Sequence, residues 1–309
     1  MTPYVTVIGG INLDLKGVPH GKLLPATSNP GHLNISAGGV GRNIAHNLAL
    51  LGVPVSLFGA VGDDAFGVRV LTETQAAGVN VTCVQLVKAS QTGMYLSILN
   101  ESHDLAVALS DMEITRFVNT GYLETYHEQI RRSKLVVIDT NIETEVLKHV
   151  LEVCRNERIP CLLNPVSVAK AKKLNDLTGE VDYITPNRME LEVFCHRKIA
   201  HLEQLEDACA QLSSQYRHIL VTLGADGVYS YRRKEQRGKL FPALKTQVVD
   251  PNGAGDAFIA GFVCGVWREF EIDACVRLGI AAAHLTLQSA DTVNKNLSFE
   301  QCLALFEHW

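Results

Sequence analysis

The strongest constraint in this chain is a repeated pairing of two patterns. Short, nearly continuous apolar runs such as LVVID (135–139) and ILVTL (219–223) alternate with longer stretches whose apolar residues recur at helical spacing. A run apolar at every position suits a strand buried on both faces, which is the condition of a parallel sheet covered by helices. Strands are read at Tyr4 to Ile8, Val53 to Phe58, Lys134 to Asp139, Pro160 to Asn164, Asp182 to Thr185 and His218 to Thr222. Between them, Val40, Ile44, Leu48 and Leu51 keep helical spacing, with Gly52 as a closing residue. Asp64 to Ala77, Glu143 to Asn156 and Leu202 to Tyr216 read as further helices. The order predicts an α/β fold: a doubly wound, mostly parallel sheet with helices on both faces.

Two segments break the alternation. Residues 11–36 hold glycines, prolines and short strand patterns without a helix, and residues 92–110 read as MYLSIL and LAVALS around a polar turn at 100–104. Together they predict a small β-sheet lid inserted into one domain spanning 1–309, because neither a linker nor a repeat separates them from the rest. A formal charge of −5 with mixed signs lacks the basic stripe that non-specific nucleic-acid binding needs. The eight cysteines are scattered, mostly in apolar runs and never as C-x-x-C, so buried thiols are expected rather than a zinc site or disulfide framework. No apolar stretch approaches a membrane span, and MTPYVTVIGG has no basic leader region; a cytoplasmic protein is expected.

Five motifs carry candidate chemistry. In D-P-N-G-A-G-D-A-F (Asp250 to Phe258), Gly253, Ala254 and Gly255 bring backbone to the start of an apolar helical run. The unpaired N–H groups there form an anion hole, and Asp256 in the first turn is placed to take a proton from a hydroxyl. The competing reading is tight helix packing with Asp256 complementing the helix dipole. A-G-G-V-G-R-N (Ala37 to Asn43) places Gly38 and Gly39 before a helix and Asn43 one turn into it, suited to a sugar hydroxyl or to an ordinary loop. Asn12 and Asp14 share a face of an extended segment at a strand end, as a vicinal diol would need, or else form an exposed polar face. Asn187 and Glu190, three apart in P-N-R-M-E, suit a helix capping box or a water-mediated Mg²⁺ site; alone, they favour the cap. Thr222, Gly224 and Gly227 in V-T-L-G-A-D-G-V suit a phosphate-binding turn or a plain hairpin. There is no P-loop, and the glycine spacing is not that of a dinucleotide fingerprint.

In this order, G-x-N-x-D, G-G-x-G-x-N, N-x-x-E, T-x-G-x-x-G and G-A-G-D span the whole chain, which resembles the ribokinase-like (pfkB) kinase family from end to end. The resemblance implies ATP-dependent phosphorylation of a primary hydroxyl with Mg²⁺. It implies Asp256 as base and Gly253, Ala254 and Gly255 as anion hole. Substrate contacts fall on Asn12, Asp14, Gly38, Gly39, Asn43 and Asn164, nucleotide contacts on Asn187, Thr222, Gly224 and Gly227, and magnesium, through water, on Glu190. It further implies a K⁺ ion beside the anion hole, at Asp250, Asn252, Ala290 and Asn294, although the usual D-T-T-G-A-G-D reads D-P-N-G-A-G-D here.

Val40 stands where ribokinases carry a lysine, and S-N-P-G (28–31), S-D-M-E-I (110–114), N-P-V-S (164–167) and T-V-N-K-N-L-S (292–298) resemble the bacterial pseudouridine kinases within the family. That branch implies a nucleoside acceptor phosphorylated at its 5′-hydroxyl, with Asp111 in the lid expected at the uracil edge. The alternatives are another nucleoside, a free sugar, or a regulator that binds a nucleoside without turning it over. The lid is also the expected surface for a homodimer.

Overall fold

The computed structural model describes residues 3–102 and 104–308. The chain runs β1 (Val5–Ile8), β2 (Asn12–Pro19), β3 (Gly31–Gly38), α1 (Val40–Leu50), β4 (Val55–Gly62), α2 (Ala65–Ala76), β5 (Val84–Val87), β6 (Gly93–Leu99) and β7 (Leu105–Asp111). Its middle holds α3 (Thr120–Thr125), α4 (His127–Arg131), β8 (Leu135–Asp139), α5 (Thr144–Glu157), β9 (Cys161–Asn164), α6 (Val168–Ala171), β10 (Val181–Ile184) and α7 (Arg188–Cys195). The rest is α8 (Leu202–Leu212), β11 (Tyr216–Thr222), β12 (Val228–Arg232), β13 (Arg237–Phe241), α9 (Ala254–Trp267), α10 (Ile272–Leu287) and α11 (Phe299–Ala304).

Nine strands form the main sheet in the order β13-β12-β11-β10-β9-β8-β1-β4-β5. All neighbours are parallel from β11 through β5, while β12 and β13 close one edge antiparallel. The LVVID run shows why such strands are apolar throughout. Leu135 and Val137 pack into the core beside α1, α9 and α10, whereas Val136 and Ile138 enter the core beside α5 and α8. Alternate side chains therefore serve opposite faces. The eight cysteines are free, and all but Cys195 are fully buried.

The lid is a four-stranded sheet, β3-β2-β6-β7, as the two interrupting segments predict. It is two antiparallel pairs joined by a parallel β2–β6 contact, so the two insertions are knitted together rather than stacked. Of the turn expected at 100–104, residue 103 lies outside the described residues. Edge strands β5 and β13 and helix α10 do not stand out in the sequence, because their apolar residues are few or lack a terminating signal.

Helix α9 is buried without interruption from Ala257 to Gly265, so it lies within the core rather than on it. It packs against α10 through glycines. A Cβ on Gly261 would lie 2.6 Å from the Leu278 carbonyl oxygen and 2.8 Å from Gly279 Cα. Backbone, unlike a side chain, cannot swing aside. Gly261→Val should therefore cost about 1–3 kcal/mol, read as a lowered denaturation midpoint without a change in m-value; an unchanged midpoint would show that the helices separate freely.

Candidate active site

Parallel strands deliver their carboxyl ends to one edge, and the helices that follow begin there with unpaired N–H groups. Two helices that follow other strands, α1 after lid strand β3 and α9 after edge strand β13, bring their starts together beside the end of β1. Asn43, in the first turn of α1, donates from Nδ2 to Asp256 Oδ2 across 3.0 Å. The orientation of that amide is not arbitrary. Arg42 Nη1 donates to Asn43 Oδ1 (3.2 Å), so the amide must present its NH₂ to Asp256. Arg42 is itself buried and anchored on the Ala37 carbonyl and the Thr74 hydroxyl. Asn43 is expected to meet a substrate hydroxyl; one N–H of its amide goes to the Asp256 carboxylate, which leaves the second to meet one.

Burial pushes the Asp256 carboxyl up to about 7; the Asn43 bond opposes this, while Asp139 and Asp14 reinforce it. A carboxylate tuned near neutrality is basic enough to take a proton from a hydroxyl and still ionises at working pH. Ala257 N–H is the first to bond within α9, to Gly253 O at 2.9 Å. The N–H groups ahead of it have no carbonyl one turn back to accept them. Gly253 adopts φ 81°, and a Cβ there would strike the Thr292 carbonyl oxygen at 1.9 Å. At Gly255 a Cβ would meet nothing within 4 Å, so the space above these amides is open.

Asn12 and Asp14 lie on one face of β2, as their spacing predicts, with Asn12 Nδ2 donating to Asp14 Oδ1 at 2.6 Å. The Asp14 carboxylate lies against Gly38, whose Cβ would come within 2.3 Å of it. Burial raises the Asp14 carboxyl, while the Asn12 bond lowers it. Gly39 adopts φ 97°, and a Cβ there would meet the Gly10 carbonyl oxygen at 2.4 Å.

A cavity of about 140 Å³ continues from Asp256, lined by Gly255, Asn164, Val166, Thr185, Asn187, Glu190 and Thr222 among others. Five of the sequence candidates thus share one space with Asp256. Asn187 and Glu190 form a complete capping box, each side chain accepting the other's N–H at 2.9 Å. The box uses only one Glu190 carboxylate oxygen, so the cap and a water-mediated Mg²⁺ site are compatible. Burial pushes the Glu190 carboxyl up, the direction a nearby cation would reverse. The Thr185 hydroxyl, buried in the same cavity, has no hydrogen-bond partner among the described residues. Thr222 is bridged to Asn187, and a short turn over Gly224–Asp226 leads through Gly227 into β12.

Four expected residues are placed or engaged otherwise. Asp111 pairs in register with Met94, which pairs with Leu13. It therefore lies on the lid face opposite Asn12 and Asp14, with its Oδ1 accepting the Glu113 N–H at 3.3 Å. Tyr95 and Ser110 occupy the Asp14 face instead. The Asn294 amide is engaged at both ends, donating to Leu285 O at 2.8 Å and accepting from Asn296 N–H at 3.0 Å. Ala290 offers only a methyl side chain. Asp250 accepts the Asn252 N–H at 2.9 Å and pairs with Lys16 at 3.1 Å.

Sequence reasoning missed Asp139. Buried at the end of β8, it accepts N–H groups from Gly10 (2.9 Å) and Asn141 (2.8 Å) and so holds the turn that presents Asn12. An acidic residue closing an apolar run was the available signal. Val166, a β-branched residue at φ 65° lining the cavity, had no sequence signal at all.

A doubly wound sheet with a polar-faced lid, and a near-neutral carboxylate beside a helix N-terminus, define a kinase of ribokinase type. Comparison with known proteins agrees. The model of the pfkB family carbohydrate kinases matches residues 2–298. Pseudouridine kinase of Escherichia coli (strain K12) is 34% identical over 307 residues, covering 99% of this chain and 97% of that one. An uncharacterized sugar kinase of the same strain is 33% identical over 304 residues, 98% of this chain and 83% of that one. Arabidopsis thaliana ribokinase, solved with ribose and ATP, superposes with a TM-score of 0.87 at 22% identity and covers 99% of each chain. The chain belongs to the pfkB carbohydrate kinase family, and it is a phosphotransferase with an alcohol group as acceptor.

The proton held near neutrality has a measurable consequence. If Asp256 is the base, its deprotonated form is the active one, and kcat/KM should rise with pH and reach half its plateau near pH 7. Asn43→Ala removes the bond that favours the charged carboxylate, moving this limb upward by about one pH unit; a profile flat across that range would dissociate Asp256 from proton transfer.

Proposed function

We propose that the chain transfers the γ-phosphoryl group of ATP to the 5′-hydroxyl of pseudouridine, giving pseudouridine 5′-phosphate and ADP. The observation that carries the chemistry is the single cavity joining Asp256, the open amides of α9 and the Asn187–Glu190–Thr222 cluster. The similarity to a pseudouridine kinase along nearly the full length of both chains supports the substrate. The ribose diol sits on Asn12 and Asp14, with the backbone of Gly38 and Gly39 and the side chains of Asn43 and Asn164 around the sugar. Asp256 takes the proton of the 5′-hydroxyl as its oxygen attacks the γ-phosphorus, and the bond to ADP breaks on the opposite side. The N–H groups at Gly253, Ala254 and Gly255 meet the charge on the transferring phosphoryl oxygens.

Glu190, whose second oxygen the cap leaves uncommitted, would hold Mg²⁺ through water, and the ion would supply charge neutralisation at the phosphates. Asn187, Thr222, Gly224 and Gly227 form the nucleotide side of the cavity. Tyr95 and Ser110, the lid side chains on the Asp14 face, meet the base. The protein works in the cytoplasm, where ATP is supplied; among the described residues no helix is long and apolar enough to cross a membrane. A free sugar as acceptor is the alternative, favoured by the resemblance to a sugar kinase at nearly the same identity.

The test is ADP formation on pseudouridine, uridine, adenosine, ribose and fructose, with Asp256→Asn as the blank. Turnover should be highest on pseudouridine and fall about 10²–10⁴-fold in the blank. Preference for another acceptor would retain the base and discard the substrate.

A second reading concerns assembly. The outer lid face carries Leu33 (67% exposed), Val107 (53%) and Leu109 (67%), with Ile35 beside Leu33. In the sheet register these lie over Leu15, Gly17, Leu96 and Ile98, forming one apolar surface. A second copy of the lid is its natural cover. The protein should therefore sediment as a dimer, and a Leu33→Lys/Leu109→Lys variant as a folded monomer; a monomeric parent would remove this reading.

A further inference from the structure

At the cation site that the family resemblance implies, the side chains present offer a single anionic ligand, and that ligand is already paired. A hard cation needs several converging oxygens. Of the four positions expected to supply them, Ala290 has no side-chain oxygen, and the Asn294 amide is engaged at both ends. Asn252 contributes its N–H to Asp250. Backbone carbonyls aside, the one anionic ligand of the set is the Asp250 carboxylate, and a cation already sits on it: Lys16 Nζ lies 3.1 Å from Oδ2.

Lys16 reaches this position by strand periodicity. It follows Asn12 and Asp14 on the same face of β2, so the strand that presents the acceptor residues also carries the ammonium. Asp250 stands three residues before Gly253, and its other oxygen pins the turn through Asn252 N–H at 2.9 Å. Its carboxylate is 14% exposed and the lysine side chain 37%. Such a pair adds little to stability, so its consequence is local: without a partner, Asp250 would place a negative charge beside a loop built to receive phosphates.

We infer that Lys16 is the resident cation of the phosphoryl-transfer loop, neutralising Asp250 in place of a monovalent ion and tying the lid to that loop. The inference rests on the assignment of residues 253–255 as the anion hole. Lys16 does not touch the reacting atoms; it is a positioning residue.

The test measures turnover with ATP as its Tris salt on whichever acceptor the protein phosphorylates best, so an error in the substrate leaves the result readable. Choline chloride and potassium chloride are compared at equal ionic strength. The wild type should be equally active in both. Lys16→Met should lose about tenfold or more in kcat in choline with little change in KM for the acceptor. K⁺ or NH₄⁺ should restore it saturably, and Lys16→Arg should keep most of the activity without either.

A thermal melt gives a readout independent of turnover: KCl should raise the Tm of Lys16→Met relative to choline and leave the wild type unchanged. Activation of the wild type by K⁺ would overturn the inference. So would full activity of Lys16→Met in choline, or a folded but inactive variant that no cation rescues. A wild type inactive on every acceptor would instead count against the proposed reaction, while the melts would still report on Lys16.

Discussion

The site depends on one hydrogen bond between two helix starts. Asn43 and Asp256 are 213 residues apart in the chain, yet their 3.0 Å contact fixes the distance between the α1 start, with Gly38 and Gly39, and the α9 start, with Gly253 and Gly255. Almost everything else about the site follows from holding those two ends together. Arg42 sets the direction of the Asn43 amide. Asp139, buried beneath, holds the β1 turn and adds negative potential to Asp256. Burial of the carboxylate in that company gives it the basicity of a near-neutral acid rather than that of a fully ionised surface one.

The lid works by having two unlike faces. Strand alternation turns Asn12, Asp14 and Lys16 toward the crevice, and Leu33, Val107 and Leu109 away from it. The polar face carries the residues proposed to meet the acceptor and reaches Asp250 through Lys16; the apolar face is left in water unless another surface covers it. Asp111 shows the force of the same rule. One position earlier it would have faced the crevice, and the period of two moves it to the far side, where it caps a turn.

The fold was largely legible because its signals are local. Continuous apolar runs, helical spacing and closing glycines gave the parallel sheet, and two segments without helical period gave the lid. The G-A-G-D turn was legible for the same reason, since glycine is needed where backbone must approach a ligand or adopt positive φ, as at Gly253. The capping box was legible too, and its two readings proved compatible because it consumes only one Glu190 oxygen. Edge strands such as β5 escaped because four residues, two half-buried, one exposed and one buried, carry too little pattern. Val166 escaped because its left-handed backbone is imposed by the surrounding site, not by its own preference.

By itself the sequence determined which segments become strands and helices, the glycine turns, and the common face of Asn12, Asp14 and Lys16, because each depends only on near neighbours in the chain. Tertiary structure decided the partners: Asn43 with Asp256, and Lys16 with Asp250 across 234 residues. It also decided the basicity of Asp256, since desolvation and the fields of Asp139 and Asp14 exist only once distant elements close around it. A side chain's chemistry is written locally; the dielectric and charges that tune it are assembled by the fold.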